Sequence, residues 1–476
     1  MNVAAHLNPA VDSEAEALRI FGLQRAAHRQ NPVPTLVDRR ANLKRLERLL
    51  LDNQDAICEA ISQDFGNRSH QETKLLELFL SVDGIRDGRK RLAKWMKPQN
   101  RSGSIWFFGA RNSVIPQPKG VVGVVAPWNY PLFLVMGPVT SALAAGNRCM
   151  VKMAANSRNL CALLQRLVAQ SFDERTLAVI PDVSGSVFSS MPFDHLIFTG
   201  SADTGRRVMR AAADNLTPVT LELGGKSPVI VAEDYDLKTA AARILQMKTV
   251  NAGQTCVAPD YLFIHESQLD AFVQHCRAIV PARYPSLLVN DYTSMIDQPS
   301  YERLMGYLDN AADKGAQIIN LLPGSINDDT ARKIAPVLVL NATDGMRLMQ
   351  EEIFGPILPI RTYRTLDEVL GYINDRDHPL ALYLFTNQHH VQDRVVSLTQ
   401  SGGVGINDCG LHVAQHDLPF GGVGASGMGH YHGYEGFVEF SKLRPIFKQF
   451  SVPAFPLLYP PYGPLFERLI RMMLRR

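Results

Sequence analysis

The chain has 476 residues, too many for one ordinary core and enough for two or three domains. Hydrophobic residues make up 46% and charged residues 20%, the profile of a soluble globular enzyme. Lys and Arg number 49 against 46 Asp and Glu, a net charge of +3 spread along the whole sequence, which excludes the one-sided basic face of a nucleic-acid binder.

From the N-terminus, residues 1–18 carry charged and polar side chains without a long apolar run and do not read as a signal peptide. Apolar positions recur at helical spacing over 39–51 and 72–82, so the first hundred residues read as helices. Residues 120–147 contain no charged side chain and are long enough to span a bilayer. Pro127, Asn129, Pro131 and Pro138 interrupt them, however, and the run opens on β-branched valines; a buried strand, a loop and a buried helix fit better. Strands then follow at 149–152, 195–199, 219–223 and 229–231, with helices near 160–170 and 206–215. A second α/β stretch covers 236–416, with strands at 261–264, 336–340 and 379–386. This alternation predicts a doubly wound, mainly parallel sheet. The chain is Gly-rich over 418–429, and a Pro-rich tail from Ser451 ends in a basic helix candidate at 465–476.

Six cysteines are scattered without C-x-x-C pairs, which argues against a disulfide framework or zinc ribbon and for a reducing compartment. One of them, Cys256, sits among small and polar residues in Asn251-Ala-Gly-Gln-Thr-Cys-Val-Ala-Pro-Asp260. It is either a nucleophile whose thiolate is held by backbone N–H groups or a small buried hydrophobe. Glu222 ends an apolar strand, where burial raises a carboxyl pKa and suits a general base; the alternative is a salt bridge with Lys226. Asn129, in Ala126-Pro-Trp-Asn-Tyr-Pro131 at a strand's C-terminal end, is either an oxyanion donor or a turn former. Gly200, Ser201 and Gly205 lie between a strand and a helix, where small residues let backbone approach a pyrophosphate, although the G-x-x-x-x-G spacing is a weak fingerprint. Lys152, at a strand end, either holds ribose hydroxyls or is a solvated lysine.

Taken together, Pro127-Trp-Asn-Tyr-Pro131, Phe198-Thr-Gly-Ser201, Leu221-Glu-Leu-Gly-Gly-Lys-Ser-Pro228, Gly253-Gln-Thr-Cys256, Glu351-Glu-Ile-Phe-Gly-Pro356, Leu418-Pro-Phe-Gly-Gly-Val-Gly424 and Ser426-Gly-Met-Gly429 resemble the aldehyde dehydrogenase superfamily over nearly the whole chain. The short N-terminal part resembles the class 3 branch; Asp64-Phe-Gly-Asn-Arg-Ser69 and Tyr284-Pro-Ser-Leu-Leu288 look most like bacterial coniferyl aldehyde dehydrogenases.

The resemblance implies an α/β fold with a Rossmann-type cofactor domain (1–100 and 120–223) and an α/β catalytic domain (224–416). It adds a bridging β element (101–119 and 417–446), with a hairpin near 103–117, and a tail over 447–476 that packs over the substrate tunnel, touches a membrane surface or stays a surface helix. It implies Cys256 as nucleophile, Glu222 as the base that activates water, and Asn129 with the Cys256 N–H as oxyanion donors. NAD or NADP would be held by Lys152, Trp128, Gly200, Ser201, Gly205, Leu223, Glu352 and Phe354. A cytoplasmic homodimer acting on aromatic propenals such as coniferyl aldehyde is implied, with medium or long aliphatic aldehydes as the alternative.

One position departs from the family pattern. Lys152 is followed by Met-Ala-Ala-Asn156, so Ala155 stands where NAD-preferring members carry an acid for the adenosine 2′-hydroxyl, and use of both NAD and NADP is expected. His412 and His416 have helical metal-pair spacing but no H-E-x-x-H around them; no metal is expected, and a place at the substrate mouth fits better. Glu222 argues against transfer of the acyl group to coenzyme A, and the joint presence of Cys256, Glu222 and Asn129 argues against a non-catalytic protein on this fold.

Overall fold

The computed structural model describes residues 9–322, 324, 326–451 and 455–474. The chain opens with a helical layer: α1 (Pro9–Gln30), α2 (Leu36–Asp52), α3 (Gln54–Phe65), α4 (His70–Thr73), a π-helical turn (Lys74–Phe79) and α5 (Leu80–Trp95). Thr35 starts α2 with a capping box, exchanging hydrogen bonds with Asp38 that satisfy two backbone donors. The apolar stripe of these helices (Leu43, Leu46, Leu50, Ile57, Ile61, Ile85) is buried against the rest of the core.

Strands follow in chain order: β1 (Gln99–Arg101), β2 (Arg111–Pro118), β3 (Val121–Ala126), β4 (Arg148–Met153), β5 (Leu177–Val179), β6 (His195–Thr199) and β7 (Val219–Glu222). Then come β8 (Pro228–Val231), β9 (Tyr261–His265), β10 (Gln317–Asn320), the short pair β11 (Asn327–Asp328) and β12 (Lys333–Ile334), β13 (Val337–Leu340) and β14 (Ile357–Tyr363). The last are β15 (Ala381–Phe385), β16 (Gly403–Ile406), β17 (Gly427–Met428) and β18 (Ser441–Lys448).

Two sheets dominate. One has the order β17-β7-β6-β3-β4-β5 and is parallel except for β17, which returns late in the chain to pair Gly427 with Glu222. The other, β10-β13-β14-β9-β8-β15-β16, is parallel except at its β10 edge. Their strands are almost wholly apolar, as sheets covered on both faces require. The expected mainly parallel α/β architecture is therefore present, with its strands divided between two sheets.

Between the strands lie α6 (Phe133–Ala145), α7 (Arg158–Ser171), α8 (Gly185–Ser189), α9 (Ala202–Ala213) and α10 (Leu237–Thr249). The uncharged stretch 120–147 is strand β3, a loop and the buried helix α6. Both ends of α6 are satisfied by charged side chains of the helical layer. Glu77 accepts from the Leu132 and Phe133 amides, and Arg39 donates to the Ala144 and Ala145 carbonyls. Among the described residues no helix is long and apolar enough to cross a membrane.

A third, antiparallel sheet joins β1, β2 and β18. The hairpin strands fall at Gln99–Arg101 and Arg111–Pro118, flanking an exposed turn, and the C-terminal partner begins at Ser441 and runs to Lys448. Pro445 inside that strand obscures it in the sequence; an edge strand tolerates it because its N–H side needs no ladder partner. In the tail, the helix Pro464–Leu474 follows an aromatic knot in which Phe107 stacks on Phe455 at 5.6 Å.

Candidate active site

The C-terminal ends of β3, β6 and β7 open into a cleft of about 1110 Å³, the place where open parallel sheets receive ligands. Trp128, Asn129, Gly200, Ser201, Glu222, Leu223, Cys256, Glu352 and Phe354 all line it. Lys152 and Gly205 do not.

Cys256 lies in a turn after α10 that is tightly constrained. Asn251 and Ala252 hold left-handed backbone at φ 50° and 51°, and Gly253 follows at φ 74°. A Cβ on Gly253 would fall 2.4 Å from the Gly355 carbonyl oxygen, so only glycine fits both the dihedral and the space. Burial pushes the thiol up to about 12, with the Glu352 and Glu222 carboxylates adding to it, against the pull of the Cys256 and Val257 amides. The N–H groups expected to favour a thiolate are present, but burial and two nearby acids outweigh them.

Glu222 is buried at the end of β7, and neither carboxylate oxygen has a hydrogen-bond partner among the described residues. Burial, then the charge of Glu439, holds its pKa well above the usual carboxylate range. The alternative of a Lys226 salt bridge is not what the fold contains. Lys226 pairs with Asp260 and donates to the Leu348 and Glu351 carbonyls.

Asn129 is buried, and one of its amide protons reaches the Gln254 carbonyl at 3.2 Å. Its main-chain carbonyl is clamped by Arg68 Nη1 at 3.0 Å and Asn251 Nδ2 at 3.0 Å. Arg68 is in turn paired with Glu77 at 2.6 Å, both side chains wholly buried, and its guanidinium lies over the Tyr130 ring. Glu72 accepts from the Asn251 amide at 2.9 Å; burial pushes its pKa up to about 7. Arg68, Glu72 and Glu77 therefore fix both the asparagine and the cysteine turn. Sequence reasoning gave them no role, although charged residues in a helical layer that must bury an apolar stripe were the available signal.

On the far side, Phe354 stands at φ 51°, a strained conformation for an aromatic residue, with its ring 5.5 Å from that of Trp128. Arg303 donates to the Glu352 and Ile353 carbonyls, and Asp260 accepts from the Ile353 amide at 2.9 Å. Burial, with Asp260 adding charge, pushes Glu352 up to about 7; its carboxylate presses on Gly224, where a Cβ would come within 2.2 Å.

Helix α9 begins at Ala202, four residues earlier than its apolar period suggests, because Ser201 caps it through Thr204 N. Its N-terminal turn consequently faces the cleft, while Gly205 is spent on packing: a Cβ there would meet Leu223 at 2.8 Å. Lys152 is half-buried at the end of β4 and donates to the Met153 carbonyl; Ala155 is exposed in the turn beyond. His412 lies in a 3-10 turn beside Tyr383, and His416 pairs with Asp83 at 2.9 Å; they share no helical face and neither lines the cleft.

The chain matches the model of the aldehyde dehydrogenase family over residues 11–446. It is 49% identical over 462 residues to a Pseudomonas aeruginosa protein named probable coniferyl aldehyde dehydrogenase, covering 96% of each chain. A coniferyl aldehyde dehydrogenase of a Pseudomonas species is 46% identical over 454 residues, 94% of each. The solved, substrate-bound structure of Staphylococcus aureus AldH superposes with a TM-score of 0.90 at 35% identity, over 96% of this chain and 99% of that one.

Proposed function

Because the chain belongs to the aldehyde dehydrogenase family, we propose that it oxidises an aromatic propenal such as coniferyl aldehyde to the acid, with Cys256 as nucleophile and Glu222 as hydrolytic base. The observation that carries this reading is the meeting of a cysteine, a buried unpartnered carboxylate and a buried amide at one cleft. Glu222 takes the thiol proton, and Cys256 Sγ adds to the aldehyde carbon. The Cys256 N–H and the Asn129 amide proton not given to Gln254 hold the oxyanion. Loss of hydride leaves a thioester, and Glu222 then draws a proton from the water that hydrolyses it. The aromatic wall of Phe420, and the names of the relatives, support the aromatic substrate.

A nicotinamide dinucleotide fits what lines the other arm of the cleft. The capped N-terminus of α9 offers the backbone donors of its first turn, beside Gly200 and Ser201, to a pyrophosphate, and the half-buried Glu352 carboxylate offers acceptors to a ribose. When bound, that group accepts the hydride. Trp128, Leu223 and Phe354 are assigned to its ring, while Gly205 supports the site by packing on Leu223 and Lys152 reaches it only by leaving the Met153 carbonyl. Ala155 leaves the turn after β4 without an acid, so NAD and NADP are both used. A cytoplasmic homodimer completes the reading, in keeping with six free thiols. The test is a kcat/KM comparison of coniferaldehyde, benzaldehyde, hexanal and a long-chain aldehyde with each cofactor. Coniferaldehyde ranking first, with both cofactors accepted and nothing left in Cys256→Ala, supports the proposal. A leading rate on the long-chain aldehyde overturns the substrate assignment, and a preference for NAD by several orders of magnitude overturns dual cofactor use.

A further inference from the structure

Each aldehyde oxidised through a thioester releases two protons, one when the Cys256 thiol is consumed and one when water converts the thioester to a carboxylate and restores the thiol. Glu222 receives the first and is buried with 2% exposure, so a route outward is needed before it can act again. The structure contains a directed chain of hydrogen bonds beside it. Thr220 lies two residues from Glu222 on the same face of β7, roughly 7 Å away along the strand. Thr220 Oγ1 donates to Glu439 Oε1 at 2.5 Å and faces His195 Nε2 at 2.8 Å, and His195 Nδ1 faces Lys119 Nζ at 2.9 Å. Burial beside Lys119 holds His195 neutral, at about 3, so one tautomer satisfies every link. Lys119 donates to Nδ1, Nε2–H donates to Thr220, and Thr220 donates to Glu439. All donors point towards the Glu439 carboxylate, whose side chain is 23% exposed and so reaches solvent.

We propose that Glu439 is the proton outlet of Glu222: its carboxylate, oriented by Lys119, His195 and Thr220, takes the proton from Glu222 through one bridging water and releases it to solvent. Glu439 acts through Glu222 and is a positioning residue. No bond other than O–H is made or broken, and no redox partner is needed. The charged and titratable groups around this path are Glu222, Cys256 and Tyr431 on the cleft side, and His195, Lys119 and Lys442 beyond Glu439. The negative charge of Glu439 also disfavours the anion of Glu222, which gives the proposal a pH signature.

This inference rests on Glu222 being the hydrolytic base, so the experiment separates the two. Cys256 of the full-length, cofactor-free protein is acetylated with p-nitrophenyl acetate, and loss of the acetyl group is followed by intact mass between about pH 5 and about pH 9. In Glu439→Gln, acetyl loss should slow by about tenfold or more, with its acid limb moved to lower pH because a neighbouring negative charge is gone. Thr220→Val, which keeps that charge and nearly the same shape, should slow acetyl loss with the limb in place, and Glu439→Asp should recover part of the rate. Parental rates and limbs in both Glu439→Gln and Thr220→Val overturn the outlet. If Glu439→Gln does not fold, Thr220→Val alone decides. Parental acetyl loss in Glu222→Gln overturns the base assignment itself, whatever Glu439 does.

Discussion

Arg68 is the residue whose removal most sharply tests how the site is held. Its side chain and that of Glu77 have no exposure, and their ion pair is 2.6 Å long. In Arg68→Met the apolar volume is largely kept, but Glu77 is left charged in the core with only the Leu132 and Phe133 amides as donors. Breaking a buried pair from one side costs about 3–5 kcal/mol. That is at least about a fifth of a total stability of about 5–15 kcal/mol. The variant also leaves the Asn129 main-chain carbonyl with Asn251 as its remaining donor and uncovers the Tyr130 ring, so the oxyanion donor loses one of its two anchors and kcat should fall by about tenfold or more. Adding Glu77→Gln removes the stranded charge yet keeps an oxygen for the two amides, so the double variant should regain much of the stability but not the rate. Urea unfolding of the three proteins, with kcat on coniferaldehyde, measures both parts. A single variant within about 1 kcal/mol of the parent, or a double variant no more stable than the single, refutes the reasoning.

Three further outcomes follow from the same geometry. Glu222 has a folded pKa raised above its unfolded value, so the unfolded chain loses this proton first and stability falls as pH climbs past the ordinary carboxylate range. Glu222→Gln should therefore melt higher than the parent at pH 7 while losing turnover by a factor of about 10² or more; a lower melting point contradicts this. Cys256, pushed up to about 12, should react with iodoacetamide at pH 7 more slowly than an ordinary thiol and speed up with rising pH, and Glu352→Gln should quicken it by removing the larger of the two nearby charges. Gly253→Ala places a Cβ against the Gly355 carbonyl oxygen at a left-handed dihedral, so it should lower stability by about 2 kcal/mol or more and cut Cys256 reactivity with iodoacetamide. Parental behaviour there would mean that the turn is looser than described.

The parallel sheets were readable because a strand buried on both faces has to be a continuous apolar run between turns, as in Val121–Ala126 and Pro228–Val231. Motif residues on either side of the cleft were readable for a different reason: their spacing matches a family pattern that no local physics would supply. What could not be read was pairing over long distances. Nothing in Ser441–Lys448 says that it will lie along Arg111–Pro118, and its proline argues against a strand until the edge position is known. Arg68, Glu72 and Glu77 had no role legible in the sequence because their partners, the Asn129 carbonyl and the Asn251, Leu132 and Phe133 amides, lie far along the chain. The start of α9 was missed by four residues since apolar periodicity begins only after the cap, whereas the Ser201 hydroxyl decides where the helix starts. The substrate mouth suits neither of the two histidines placed there for preceding the Gly-rich stretch: His412 packs beside Tyr383 and His416 pairs with Asp83.

The most direct test of Cys256 and Glu222 as nucleophile and base is to mix Glu222→Gln with coniferaldehyde and oxidised cofactor and weigh the protein. One equivalent of reduced cofactor should form in a burst, and an acyl group should stay on Cys256, mapped by peptide digestion and released by hydroxylamine. Continued turnover in that variant, or an acyl group on any residue other than Cys256, would contradict the account.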